Sequence, residues 1–184
     1  QVVTRLRTEG GIVSEIYNGD NRENGPEICN RIHEHLAPAV KGMDIFSTEA
    51  IWEKMFAFTR DYGDRKLWLE AIACVDCAVR DVMGKAAGRT VNELLGGYRK
   101  EVPIISIGGY YMDGKTLDDI ADEIQMYREA GMAGAKFKVG GLSPEEDAER
   151  VRAADAARGD HFMLCVDANR GWTAEDAIKF ARLI

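Results

Sequence analysis

No apolar run in this 184-residue chain approaches the ~18 residues a membrane span requires, and its first residues show no charged-then-apolar leader pattern. A cytoplasmic protein is the expectation. Basic charge is also short: 24 Lys and Arg against 31 Asp and Glu give a net charge of -7, and the basic residues are scattered. The positive stripe that nucleic acid or an anionic membrane needs is missing, so neither is expected as a partner. Small polar or anionic substrates, met by local lysines, are not excluded. Cysteine is sparse. Cys29, Cys74, Cys77 and Cys165 are widely spread, and no second pair or nearby histidine accompanies Cys74 and Cys77. That pair reads as core packing in a helix rather than a metal or redox site. His33 and His35 fall on different faces of an amphipathic helix, which predicts surface positions.

What the chain does have is apolar residues, 46% of the total, enough for one large domain or two small ones with real cores. Val2–Thr8 alternates like a strand, Glu9-Gly10-Gly11 reads as a turn, and Ile12–Tyr17 begins a second strand, so a β-hairpin is expected, ended by Gly19-Asp20-Asn21. Ile28, Ile32 and Leu36 recur every four residues in a helix from Glu27 to Ala37, which Pro38 should terminate. A second helix is predicted over Thr48–Phe58, broken by a loop from Thr59 to Arg65. A third, more apolar one spans about Lys66 to Met83 with Gly84 as its cap, and a short helix covers Val91–Leu95. After Arg99 the pattern changes. Strands at 102–107, 134–140 and 162–166 alternate with helices at 117–130, 144–157 and from 174 onward. Three helix starts carry a polar cap and an acid three residues on: Thr116/Asp119, Ser143/Glu146 and Thr173/Asp176. Such βα units imply parallel strands.

The most informative stretch is Gly134-Ala135-Lys136-Phe137-Lys138-Val139-Gly140, a short apolar run carrying two lysines. Side chains alternate along a strand, so Lys136 and Lys138 share one face while Phe137 and Val139 take the other. Close like charges and partial burial both lower an ammonium's pKa, which would suit one lysine to act as a base near pH 7. The next strand ends Val166-Asp167-Ala168-Asn169. In parallel α/β folds reactive groups gather at the C-terminal ends of strands, so the lysines, Asp167 and Asn169 should meet at one rim. A carboxylate there can hold a hard cation such as Mg2+, and a neighbouring lysine can remove a proton from a substrate.

These residues, together with the run from Ala71 to Asp76 through Gly84-Lys85 to Leu94-Leu95-Gly96-Gly97, resemble the mandelate racemase/muconate lactonizing enzyme branch of the enolase superfamily. The resemblance covers nearly the whole chain. It implies an α+β capping domain over residues 1–99, lacking its first strand, followed over 100–184 by the first three βα units of a modified (β/α)8 barrel. It also implies Mg2+-assisted removal of the proton α to a carboxylate, through an enediolate, in an acid-sugar or hydroxy-acid dehydratase, a racemase, an epimerase or a cycloisomerase. By that resemblance Lys138 is the general base, Lys136 tunes it and contacts the substrate carboxylate, Asp167 is a metal ligand, and Asn169 binds substrate or supports the metal site. The family's remaining acidic ligands and second acid/base would come from later strands, so the chain is expected to be part of a longer, homo-oligomeric enzyme and inactive by itself. Two alternatives are a Schiff-base lysine aldolase on the same barrel and a barrel scaffold without activity.

Overall fold

The computed structural model describes residues 2–18, 23–61 and 63–184. Residues 1–100 and 101–184 form two compact units.

In the first unit, β1 (Val2–Thr4) pairs antiparallel with β2 (Ile16–Asn18), and a single bridge joins Arg7 to Val13. The hairpin is therefore present, but both arms are shorter than the alternation predicts. Ser14 is the reason: it is fully buried, and its Oγ accepts the Leu6 N–H at 2.9 Å, a bond that regular pairing would give to a backbone carbonyl. The expected end of the hairpin at Gly19-Asp20-Asn21 lies outside the described residues.

The helix expected to stop at Pro38 does not. α1 (Gly25–Arg31) widens into a π-helical turn over Ile32–Leu36 and continues as α2 (Ala37–Val40). In that turn the Ala37 N–H bonds back to the Ile32 carbonyl, five residues away. The wider ladder carries the chain past a residue that lacks an N–H and would clash with a carbonyl four residues back. His33 is exposed as expected. His35 is half-buried rather than exposed, its ring packing 5.7 Å from Phe58 and 5.3 Å from Trp68.

α3 (Thr48–Asp61) runs past the expected break, and Thr59, whose hydroxyl donates to the Phe56 carbonyl at 2.8 Å, is still helical. α4 (Arg65–Ala87) is the axis of this unit, burying Trp68, Ala71, Ile72, Val75 and Val79 against Ile28, Leu36, Ile51 and Met55. Gly84 lies inside α4. The cap is Gly88, whose φ of 61° is the left-handed conformation that ends helices. Cys74 is buried and burial pushes its thiol pKa up, whereas Cys77 is exposed, so only one of the two packs in the core. α5 (Val91–Leu94) starts with a capping box formed by Thr90 and Glu93.

The second unit is three consecutive βα units: β3 (Ile105–Gly108), α6 (Leu117–Glu129), β4 (Gly134–Lys138), α7 (Pro144–Arg158), β5 (Met163–Asp167) and α8 (Ala174–Ala181). The strands are parallel in the order β3-β4-β5. All three predicted capping boxes form. β3 begins three residues later than its apolar run suggests. Pro103 has no N–H to pair, and Val102 and Ile104 stand exposed. One face of the sheet is covered: Ala135, Phe137 and Val139 pack with Ile120, Ile124, Val151 and Ala154. The other carries Lys136 and Lys138, in register with Ile107, Cys165 and Asp167. Among the described residues no helix is long and apolar enough to cross a membrane.

Candidate active site at the strand ends

β4 and β5 are held in register, Lys136 opposite Cys165 and Lys138 opposite Asp167. In-register residues of parallel neighbours point the same way, so strand pairing alone brings both lysines to one carboxylate. Lys136 Nζ lies 3.0 Å and Lys138 Nζ 3.1 Å from the same oxygen, Asp167 Oδ2. Lys138 is the more enclosed of the two, its side chain 15% exposed against 33% for Lys136. Its ammonium also donates to Asn169 Oδ1 at 2.5 Å and lies 6.0 Å from the centre of the Tyr110 ring.

The turn after β5 makes this possible. Asn169 and Arg170 both adopt left-handed backbone, with φ of 46° and 65°. Asn tolerates that region through local hydrogen bonds, while Arg does so at a cost in strain. The Asn169 N–H donates to Asp167 Oδ1 at 3.0 Å, which closes the turn and aims the Asn169 amide back at Lys138. That backbone hydrogen bond, with those from Lys136 and Lys138, holds the Asp167 carboxyl far below the usual carboxylate range.

The structure thus brings together all four residues singled out from the sequence. It changes one element of that reading: the two lysines do not face each other unrelieved, because Asp167 stands between them. Asp167 and Asn169 offer the hard oxygens that Mg2+ prefers, but one carboxylate is fewer than its coordination requires. Among the described residues there is no group of three or more His, Cys, Asp or Glu side chains that could hold a metal ion. They supply part of a ligand set.

A second cluster sits directly behind the lysines. On α7, Asp147 is fully buried and Arg150 nearly so. Arg150 donates to Asp147 at 2.7 Å, to the Lys138 carbonyl at 3.1 Å and to the Gly109 carbonyl at 2.6 Å. Asp147 also accepts the Gly140 N–H at 2.7 Å and the Tyr111 hydroxyl at 2.8 Å. Burial, with the neighbouring Asp147, pushes the Tyr111 pKa up to about 12. Sequence reading missed these residues because Pro-Glu-Glu-Asp-Ala-Glu-Arg-Val-Arg looks like a solvated helix face. A faint signal existed: Asp147 and Arg150 fall at i and i+3 on the row that continues through Val151 and Ala154, all of it buried.

The family model for the mandelate racemase/muconate lactonizing enzyme N-terminal domain matches residues 1–96, and that described as enolase C-terminal domain-like matches residues 119–184. An arabinonate dehydratase from Saccharolobus solfataricus is 36% identical over 151 residues, 82% of this chain and 40% of the relative. A D-galactarolactone cycloisomerase from Agrobacterium fabrum is 35% identical over 139 residues, 74% of this chain and 36% of the relative. Among solved structures, a mandelate racemase/muconate lactonizing enzyme from a marine actinobacterium, in complex with magnesium, superimposes with a TM-score of 0.88 at 46% identity. That match covers 99% of this chain and 51% of the other. The chain spans less than half the length of these two curated relatives. Its first unit corresponds to the capping domain and its second to the start of the barrel. With both domain models matched in order and the strand-end lysines and carboxylate in place, the chain belongs to the mandelate racemase/muconate lactonizing enzyme family of the enolase superfamily.

Proposed function

We propose that this chain is the catalytic-lysine portion of an enzyme that removes the proton α to the carboxylate of a sugar acid or related hydroxy acid, most simply as a dehydratase. The observation that carries this reading is the convergence of Lys136, Lys138, Asp167 and Asn169 at one rim. The identified relatives, a dehydratase and a cycloisomerase of sugar-acid derivatives, point to the same substrate class. Lys138, the more enclosed lysine, is the base. It sits on a strand rather than a loop, which fixes its ammonium to within hydrogen-bond reach of two partners. Lys136, more open to solvent, is placed to receive the substrate carboxylate, and Asn169 to hold both Lys138 and a substrate hydroxyl. Asp167 would contribute one oxygen to a Mg2+ site whose other ligands lie elsewhere in the whole protein. A cation held there would stabilise the negative charge that develops on the substrate carboxylate as the proton leaves. Racemase or epimerase chemistry would use the same first step.

The test is a screen of the full-length protein with Mg2+ against sugar acids and hydroxy acids in D2O. Loss of the α-proton is the expected result, read as deuterium at the α-carbon where the substrate is reprotonated or, where water is lost, as a 2-keto acid that carries deuterium on the adjacent carbon. A keto substrate trapped on Lys136 or Lys138 by borohydride, with no response to EDTA, would instead establish the Schiff-base aldolase. No exchange and no trapping across the library would leave a barrel scaffold without activity.

A further inference from the structure

The cluster on α7 has no part in the chemistry above, yet it is tied to the base. Arg150 spans the ends of two strands: one nitrogen holds the Gly109 carbonyl just beyond β3, and the other holds the carbonyl of Lys138 itself. The guanidinium plane is fixed on three sides. Asp147 grips it at 2.7 Å, and its central carbon lies 4.1 Å from the Tyr111 ring centre and 4.9 Å from that of Phe137. Asp147 continues the clasp to the next turn through the Gly140 N–H, and Tyr111 Oη accepts the Gly141 N–H at 2.9 Å. Gly109 is gripped from its other end as well, its N–H donating to Glu123 at 3.1 Å, and Glu123 is paired with Lys115 at 2.6 Å. With φ at 68° and the Phe137 ring occupying the space a Cβ would need, no other residue fits there.

We infer that Arg150, oriented by Asp147 and Tyr111, is a positioning residue for Lys138: it fixes the main chain on which the base is carried, and through Gly109 the Tyr110 ring that faces the ammonium. A planar fork with several donors is needed, because the two carbonyls and the carboxylate lie in different directions around it. A lysine at 150 keeps the charge and reaches fewer of them. This inference rests on the reading of Lys138 as base. It goes beyond it by assigning function to buried charges that a fold could have replaced with apolar side chains.

The experiment compares full-length wild type, Arg150→Lys, Arg150→Ala, Tyr111→Phe and Lys138→Met for deuterium incorporation from D2O, on whichever sugar acid the wild type labels. Arg150→Lys is expected to lower kcat by ~10- to 100-fold with KM within about threefold of wild type, since a displacement of about 1 Å in a reacting group costs up to a hundredfold. Tyr111→Phe keeps the ion pair but frees Gly141, and is expected to lower kcat by a smaller factor, again at constant KM. It decides the matter if Arg150→Lys does not fold. Added guanidinium should restore part of the rate to Arg150→Ala, the cleft lined by Tyr110, Tyr111 and Leu142 giving it access. Folded variants with wild-type kcat, or a loss seen in KM alone, would overturn the inference while an inactive Lys138→Met left the base assignment standing. Wild-type exchange in Lys138→Met would overturn both.

Discussion

Removing Asp147 offers a direct measure of what burial does to an ion pair in this fold. Its side chain is 0% exposed, and Asp147→Ala takes away the partner of Arg150, the acceptor of the Gly140 N–H at 2.7 Å and the acceptor of the Tyr111 hydroxyl. Breaking a buried pair by deleting one member costs about 3–5 kcal/mol, and each orphaned neutral donor about 1–3 kcal/mol, though such terms do not add when the groups share one network. Arg150 keeps the carbonyls of Gly109 and Lys138, which puts the expected loss near the lower bound, about 3 kcal/mol. That corresponds to a more than hundredfold rise in the opening equilibrium of the lysine strand. Native-state hydrogen exchange of the full-length protein can read it at the Val139 amide, which donates to the Asp167 carbonyl rather than to Asp147. Glu145→Ala, two residues away on α7, is the control. Glu145 and Lys179 are 2.5 Å apart, closer than Asp147 and Arg150, but both are more than half exposed. Its effect should fall within the error of the measurement. Equal protection of Val139 in the two variants would refute the claim that burial, rather than distance, sets the strength of these pairs.

Asp167→Asn in the full-length protein should weaken Mg2+ binding by calorimetry, with activity partly recovered at high Mg2+, and unchanged affinity would remove Asp167 from the ligand set. Hydrogen bonds from Asn169 and the two lysines lower the Asp167 pKa, so the stability they give is complete above the unfolded value of about 3.9 and is lost only as pH falls through the lower folded value. Its carboxyl 13C resonance in the metal-free protein should stay at the ionised position as pH passes through 4, and a midpoint near 3.9 would contradict the paired geometry. A polypeptide of residues 1–184 expressed alone should show no Mg2+-dependent exchange. Its described residues bring no three His, Cys, Asp or Glu side chains together to hold a metal ion, and they leave Ile107 and Met163 exposed on an uncovered sheet face. A soluble, cooperatively unfolding species that exchanged α-protons would reverse that expectation.

The βα units were legible because their signals are local. Capping boxes at Thr116, Ser143 and Thr173, and the alternation at Lys136 and Lys138, depend on neighbours a few residues apart. Once those strands are parallel and adjacent, register alone brings Asp167 to the lysines. The departures arise where distant parts of the chain decide the outcome. Ser14 interrupts a hairpin by bonding across it, and His35 is drawn into an aromatic cluster with residues from two later helices. Pro38 is accommodated by a π turn whose ladder no residue pattern announces. Asp147 and Arg150 look like solvent-facing charges until the groups that hydrogen-bond to them, just beyond β3, in β4 and at Tyr111, are folded around them.

The central claim is that the Lys138 amine removes the α-proton, and the sharpest test separates that step from binding. Full-length wild type and Lys138→Met are compared for deuterium incorporation from D2O with an active sugar acid and, in parallel, for Mg2+ affinity. Loss of a positioned general base should lower exchange by about a hundred- to ten-thousandfold with metal affinity and fold preserved. Wild-type exchange in Lys138→Met would contradict the account.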